Sequence, residues 1–296
     1  MTDDVPALDV FYGELSVHRA LVYARLPRPG DGDGWSLAGT IRGPRCLHAQ
    51  TLPAAAKLVD QGPGASLLAQ AILPDPVCWT ADLPAIYDVT VNLLRGGEVV
   101  ATARRELGLR RLGPRGRNLV LDGKRWVLRG VNTNSTTARL PREWHEELSA
   151  LVVRDPSEDL LAEASQWGAL AVVDLNGPAD AAASQLRHLA RYPAVAIAIV
   201  RGPLPTDFAK ADYCPNLLLA AGIGAGEQSR LPPWAELAVV SADSPEDFAR
   251  VAQTVSIPIL AERRLAAALP LDEARAACDR LQRDLAAAGQ FAGYIV

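Results

Sequence analysis

The hydrophobic rhythm of the chain changes near residue 117. Before that point apolar and polar positions alternate in short runs, the period of half-buried strands. The run "ALVYARL" (20–26) ends in "PRPGDGDG", whose prolines and glycines predict a turn. "YDVTVNLLRGGEVVATARREL" is two strand-like runs about Gly96-Gly97, where both turn positions tolerate the positive φ of a tight hairpin. Several strands at this spacing predict a β-sandwich of roughly 100 residues.

After "LGPRGRN" the order becomes strand, polar turn, helix, repeated. "WVLRGVN", "ALVV", "LAVVDL", "VAIAIV", "NLLLAAG", "LAVVSA", "IPILAE" and "FAGYIV" are each apolar enough to be buried on both faces, as parallel strands are. Leu271, Ala274, Cys278, Leu281 and Leu285 step by three and four along a helix, with Gly289 after them as a C-cap. Asp155-Pro156-Ser157-Glu158 reads as a capping box with proline at the first helical position, and Ser244-Pro245 repeats the device. The expected architecture is a β-sandwich over 1–117 followed by a small, TIM-type β/α barrel over 118–296. Whether the barrel is complete stays open. The stretch is short against the roughly 250 residues typical of such barrels. The connections after the fourth and fifth strands carry little helix, and none follows the eighth. An apolar strip uncovered at that edge would suit a second copy of the chain, so a homo-oligomer is one expected partner.

Composition narrows the function classes. Nearly half of the 296 residues are apolar and under a quarter are charged, as in a well-cored globular protein. The net charge of −4 and the absence of a basic block argue against a nucleic-acid partner. No run approaches the roughly 18 apolar residues of a membrane span. The acidic start "MTDDVPALDV" lacks the regions of a signal peptide, so a cytoplasmic protein is expected. Cys46, Cys78, Cys214 and Cys278 form no C-x-x-C and the four histidines no H-x-x-x-H, so no metal and no cofactor are expected.

Three segments in order, "WTADLPAIYDVTVNLL", "RRELGLRRL" and "LVLDGKRWVLRGVNTN", resemble glycoside hydrolase family 2, the β-galactosidase and β-glucuronidase family. The matching positions are Trp79, Pro84 and Tyr87, with Ile86 where leucine is usual, then Gly108 and Arg110, then Asp122, Gly123, Lys124, Leu128, Arg129, Gly130, Val131 and Asn132. The resemblance implies an immunoglobulin-like sandwich before a catalytic barrel. It also implies retaining glycoside hydrolysis, in which two carboxyl groups about 5–5.5 Å apart act as nucleophile and general acid.

The resemblance puts Glu262, at the end of "IPILAE", in the nucleophile position. Where the family ends its fourth strand with an Asn-Glu pair, this chain has Arg201-Gly202. A missing general acid lowers the rate by on the order of 10²–10⁴. Asp174 at the end of the third strand is the better substitute candidate, ahead of Asp243 and of Glu227 in a glycine-rich loop, although a structural role for it is the plainer reading. Asp155 and Asp243 also lie at or beside helix starts, where carboxylates satisfy free N–H groups. Candidate ligand-binding residues are Asn132, Asn134, Arg154, Arg201 and Trp234; for Trp234 and Trp167 packing is the plainer role, and Trp144 falls in another barrel connection.

Three functions remain in play. The first is a catalytically degenerate pseudo-glycosidase that binds a glycan or a protein partner. The second is a divergent retaining glycosidase with Glu262 as nucleophile. The third is a different barrel enzyme acting on a small anionic ligand held by Arg154, Arg201 and Arg263.

Overall fold

The computed structural model describes residues 7–30, 34–134, 147, 150–224, 231–242, 244–265 and 269–296. Its residues group into two compact units, one running to Leu109 with Arg191–Pro193, the other comprising Arg110–Ala190 and Ala194–Val296.

The first unit is one curled antiparallel sheet of seven strands. They are β1 (Asp9–Leu15), β2 (Arg19–Pro27), β3 (Trp35–Arg45), β4 (Ala54–Asp60), β5 (Ser66–Pro74), β6 (Ile86–Arg95) and β7 (Glu98–Leu107), in the order β1-β2-β5-β4-β3-β6-β7. This is the A-B-E-D and C-F-G order of an immunoglobulin sandwich, with β4 pairing both β5 and β3. Alternation explains the core: Ala20, Val22, Ala24 and Leu26 of β2 and Tyr87, Val89 and Val91 of β6 join one buried cluster. Gly96 and Gly97 take φ of 60° and 88° and make the two-residue β6–β7 turn. Trp79 and Tyr87 are each 1% exposed, and the Tyr87 hydroxyl accepts the Val77 N–H at 2.8 Å. A Cβ at Gly108 would stand 3.2 Å from that of Trp79, so the glycine permits a close approach.

The second unit begins with a small meander of β8 (Leu112–Arg115), β9 (Asn118–Leu121) and β10 (Lys124–Trp126). Asp122 and Gly123, both at positive φ, close its β9–β10 hairpin. Eight parallel strands then form a closed barrel: β11 (Leu128–Asn134), β12 (Ala150–Arg154), β13 (Ala171–Leu175), β14 (Val195–Val200), β15 (Leu218–Gly224), β16 (Leu237–Ser241), β17 (Ile259–Glu262) and β18 (Gly293–Ile295). All eight predicted runs became strands, and β18 pairs β11, so the strand ring is complete. Leu119 of β9 shares a cluster with Leu128, Ala150, Ala196, Leu218 and Leu237, so the meander closes the N-terminal end of the barrel.

The described helices are α1 (Glu158–Trp167), α2 (Ala179–Leu189), α3 (Lys210–Tyr213), α4 (Pro245–Thr254) and α5 (Leu271–Asp284). Ser244 caps α4 with Pro245 at the first helical position, as predicted. At α1 the cap is Ser157, which accepts the Leu160 N–H; Pro156 lies before the cap and Asp155 takes φ 48°. The short side chain that can reach a helix N–H decides the start, and proline yields the position. Helix α5 buries Ala274, Cys278 and Leu281, with Leu285 as its C-cap. Gly289 stands beyond the cap at φ 149°. Among the described residues no helix is long and apolar enough to cross a membrane.

Candidate functional site at the barrel mouth

Every second side chain of a barrel strand faces the axis. Val152, Val172, Ile199, Ala220, Val239 and Leu260 all belong to the inner apolar cluster. Two residues further on, at the C-terminal strand ends, stand Arg154, Asp174, Arg201, Gly222, Ser241 and Glu262. A barrel of this type builds its active site at that end. The apolar layers therefore give way to one polar layer.

Arg201 organises that layer. Its Nη2 donates to both Glu262 oxygens, at 3.0 Å each, and its Nε donates to Asp174 Oδ1 at 2.8 Å. Arg154 Nη2 donates to the other Asp174 oxygen at 3.1 Å. The Ser241 hydroxyl donates to Glu262 Oε2, and Arg201 Nη1 reaches Ser241 Oγ at 3.4 Å. Arg264 Nε lies 3.5 Å from Glu262 Oε2. The Glu262 side chain is 1% exposed and that of Arg201 15%, so these are desolvated charges. Burial alone would lower the Arg201 pKa, but the charges and hydrogen bonds of Glu262 and Asp174 outweigh it and hold the guanidinium above its ordinary value. Arg201 is a fixed cation.

Two glycines make room for it. A Cβ on Gly222 would lie 2.9 Å from Arg201 Cγ and 3.2 Å from Nη1. A Cβ on Gly202 would lie 2.8 Å from the Gly177 carbonyl oxygen, so the segments after β13 and β14 approach closely only because residue 202 has no side chain.

The chemistry follows from the contacts. A guanidinium offers donors only and no proton to transfer at neutral pH. It therefore cannot replace a general acid. Both oxygens of Glu262 accept from Arg201, and one also accepts from Ser241, so the lone pairs that would attack an anomeric carbon are engaged.

Of the predicted residues, Arg154, Asp174, Arg201 and Glu262 come together. Asn132 and Asn134 occupy the C-terminal half of β11, in register with Val152 and Arg154 of β12. Trp234 does not join them. It stands two residues before Glu236, whose N–H donates to Leu219 at the start of β15, and so lies toward the other end of the barrel. Trp167 ends α1, half-buried. Arg263 pairs with Asp284 at 2.8 Å, so each of the three arginines proposed for an anionic ligand already has a carboxylate partner. Trp144, Glu227 and Asp243 lie outside the described residues. Ser241, Gly222 and Arg264 were missed. Alternation in "LAVVS" puts Ser241 on the axis side with Leu237 and Val239, a signal available without coordinates. Among the described residues no group of three or more His, Cys, Asp or Glu is placed to hold a metal ion.

No family model matches the chain. A segment of 69 residues is 35% identical to a β-galactosidase of Streptococcus thermophilus, covering 23% of this chain and 7% of that protein. The fold matches a putative β-galactosidase from Bacteroides fragilis with a TM-score of 0.62 at 15% identity, over 98% of this chain and 54% of that one. It matches Bacteroides uniformis β-glucuronidase with a TM-score of 0.63 at 14% identity, over 98% of this chain and 45% of that one. The chain thus spans about half the length of these structures. Its curled sandwich and closed barrel are the fold of β-galactosidases and β-glucuronidases, in accord with the resemblance to glycoside hydrolase family 2 carried by its motifs.

Proposed function

We propose that this chain is a pseudo-glycosidase: a barrel of the family 2 type whose hydrolytic centre has become an ion-paired plug, and which acts by binding a glycan or a protein partner. The carrying observation is the two-point contact of Arg201 Nη2 with both oxygens of Glu262 at 3.0 Å. A retaining hydrolase needs a free carboxylate facing a second carboxyl group that can give up a proton. Here one arginine lies against both carboxylates. The function rests on fold likeness for its carbohydrate side and on this contact for its loss of chemistry.

One observation favours a second reading, a divergent hydrolase. Ser241 and Glu262 are directly paired on neighbouring strands, and their hydrogen bond would keep the Glu262 side chain aimed if Arg201 withdrew. Steady-state assays on activated aryl β-glycosides, run beside sugar-binding titrations, separate the two. The expected result is no turnover that depends on Glu262, together with saturable binding of a glycan. Hydrolysis abolished by Glu262→Gln would establish the second reading instead.

A further inference from the structure

Two neighbouring strands of the first unit, β2 (RALVYARLP) and β5 (SLLAQAILP), are apolar on both faces. Their inward residues, among them Val22, Leu26, Leu67 and Leu73, build the core of the unit. An antiparallel strand with its other face in water carries polar residues there. Here Leu68, Gln70 and Ile72 alternate outward on β5, and Leu21 and Tyr23 on β2. Direct cross-strand pairs join them into one surface. Phe11 of β1 stands opposite Tyr23, Tyr23 opposite Gln70, Gln70 opposite Val59 of β4, and Leu21 opposite Ile72. Ile72 and Val59 are 59% and 58% exposed, while Phe11, Leu21, Tyr23 and Leu68 are half-buried. The rings of Phe11 and Tyr23 stack with centroids 5.4 Å apart. A Cβ on Gly13 would lie 2.9 Å from Tyr23 Cε2, so the tyrosine ring covers the glycine rather than standing out from the sheet.

A contiguous exposed apolar face marks an interaction surface. We propose that this face is a dimer interface, covered in solution by the same face of a second copy of the chain. Sheet faces pack on one another about 10 Å apart, and a two-fold axis supplies an identical face. β2 and β5 are each nine residues long and lie between β1 and β4, so the four strands cover about 30 by 19 Å, or roughly 550 Å² a side. The two sides together bury about 1,100 Å², just above the roughly 1,000 Å² that a specific interface needs. The charges stand at the margins and carry both signs: Asp9 pairs with Arg25 and Glu14 with Arg19, and Lys57 lies on β4. A second copy therefore meets no field of a single sign. The surface belongs to the first unit, not to the barrel edge where the sequence suggested a second copy, and it is independent of the plug.

The test is sedimentation equilibrium of the whole chain from about 1 to 100 µM. A dimer with a dissociation constant on the order of 10 µM or below is expected from an interface of this size. Ile72→Lys combined with Val59→Lys places two unpaired cations at its centre and is expected to weaken the dimer at least about 100-fold. Ile72→Ser, which adds no charge, should weaken it about tenfold. All these positions are exposed in the single chain, so its fold should survive. Val99→Lys changes an equally exposed valine on β7, outside the patch, and should leave the dimer unchanged. A monomer throughout the range would overturn the proposal and leave the face to a partner of another kind. A dimer that resists both Ile72 variants, or that Val99→Lys disrupts as strongly, would place the contact elsewhere and overturn it equally.

Discussion

Arg201 and Gly222 share one space at the barrel mouth: a Cβ on the glycine would lie 2.9 Å from Arg201 Cγ. The shortest contact is with the stem of the side chain and a second is with Nη1, whose group is held by Glu262 and Asp174, so the arginine cannot step aside cheaply. Gly222→Ala is expected to destabilise the protein by about 1–3 kcal/mol, the range for overpacking. In an Arg201→Ala background the same change should be nearly neutral, because the colliding atoms are gone. Urea denaturation of the four variants in a double-mutant cycle measures this. Additive effects would mean that the two residues do not compete for that space.

Removing the arginine takes the shared cation from two buried carboxylates, leaving Asp174 to the exposed Arg154 and Glu262 to Ser241 and Arg264. Arg201→Met is therefore expected to cost about 3–5 kcal/mol. Adding Asp174→Asn and Glu262→Gln should recover much of that loss, since a buried ionic group replaced as a whole is often neutral. A triple variant no more stable than the single one would show that packing of the Arg201 stem, not charge pairing, holds the mouth together.

How much of this was legible beforehand depends on the kind of signal. Parallel strands buried on both faces leave continuous apolar runs, so all eight barrel strands could be read, as could the Gly96-Gly97 turn and the Ser244 cap. The Arg201 substitution was visible because a resemblance supplied a position where a carboxylate belongs. Its consequence was not visible. Nothing local in "AIVRGPLP" says that the side chain reaches Glu262 on β17 and Asp174 on β13. The two-residue step on β15 that leaves Gly222 facing the axis can be read, but the occupant of the gap cannot. Trp234 meets the same limit: its connection starts at one end of the barrel and finishes at the other, and sequence distance does not mark where it has crossed.

Thiol chemistry should divide the cysteines evenly. Cys214 and Cys278 are buried while Cys46 and Cys78 are half-buried. A disulfide exchange reagent is expected to modify Cys46 and Cys78 in the native protein, and the other two only after unfolding. Fast native modification of Cys278 would contradict its burial between α5 and the barrel strands.

The same two thiols set a limit on the alkaline side. Burial pushes Cys278 from an ordinary 9.0 to about 11 and Cys214 to about 12. A folded pKa above the unfolded one means that the unfolded chain releases its proton first. Stability from each thiol is then fully present below about pH 9 and is lost as the pH rises toward the folded values. For Cys278 the loss is on the order of 3 kcal/mol at most. Denaturation midpoints measured from pH 8 to 11 should fall, and Cys278→Ala should fall less steeply; identical slopes would remove Cys278 as a contributor.

The central claim is that Glu262 no longer attacks sugars because Arg201 holds it. Intact mass measured after incubation with dinitrophenyl glycosides, fluorinated beside the anomeric carbon, tests that claim most directly. Dinitrophenolate leaves without protonation, so a missing acid cannot hide a working nucleophile, and the fluorine preserves any glycosyl adduct. The expected mass is that of the unmodified protein across a panel of sugars. An adduct on the native chain that Glu262→Ala abolishes would contradict the account.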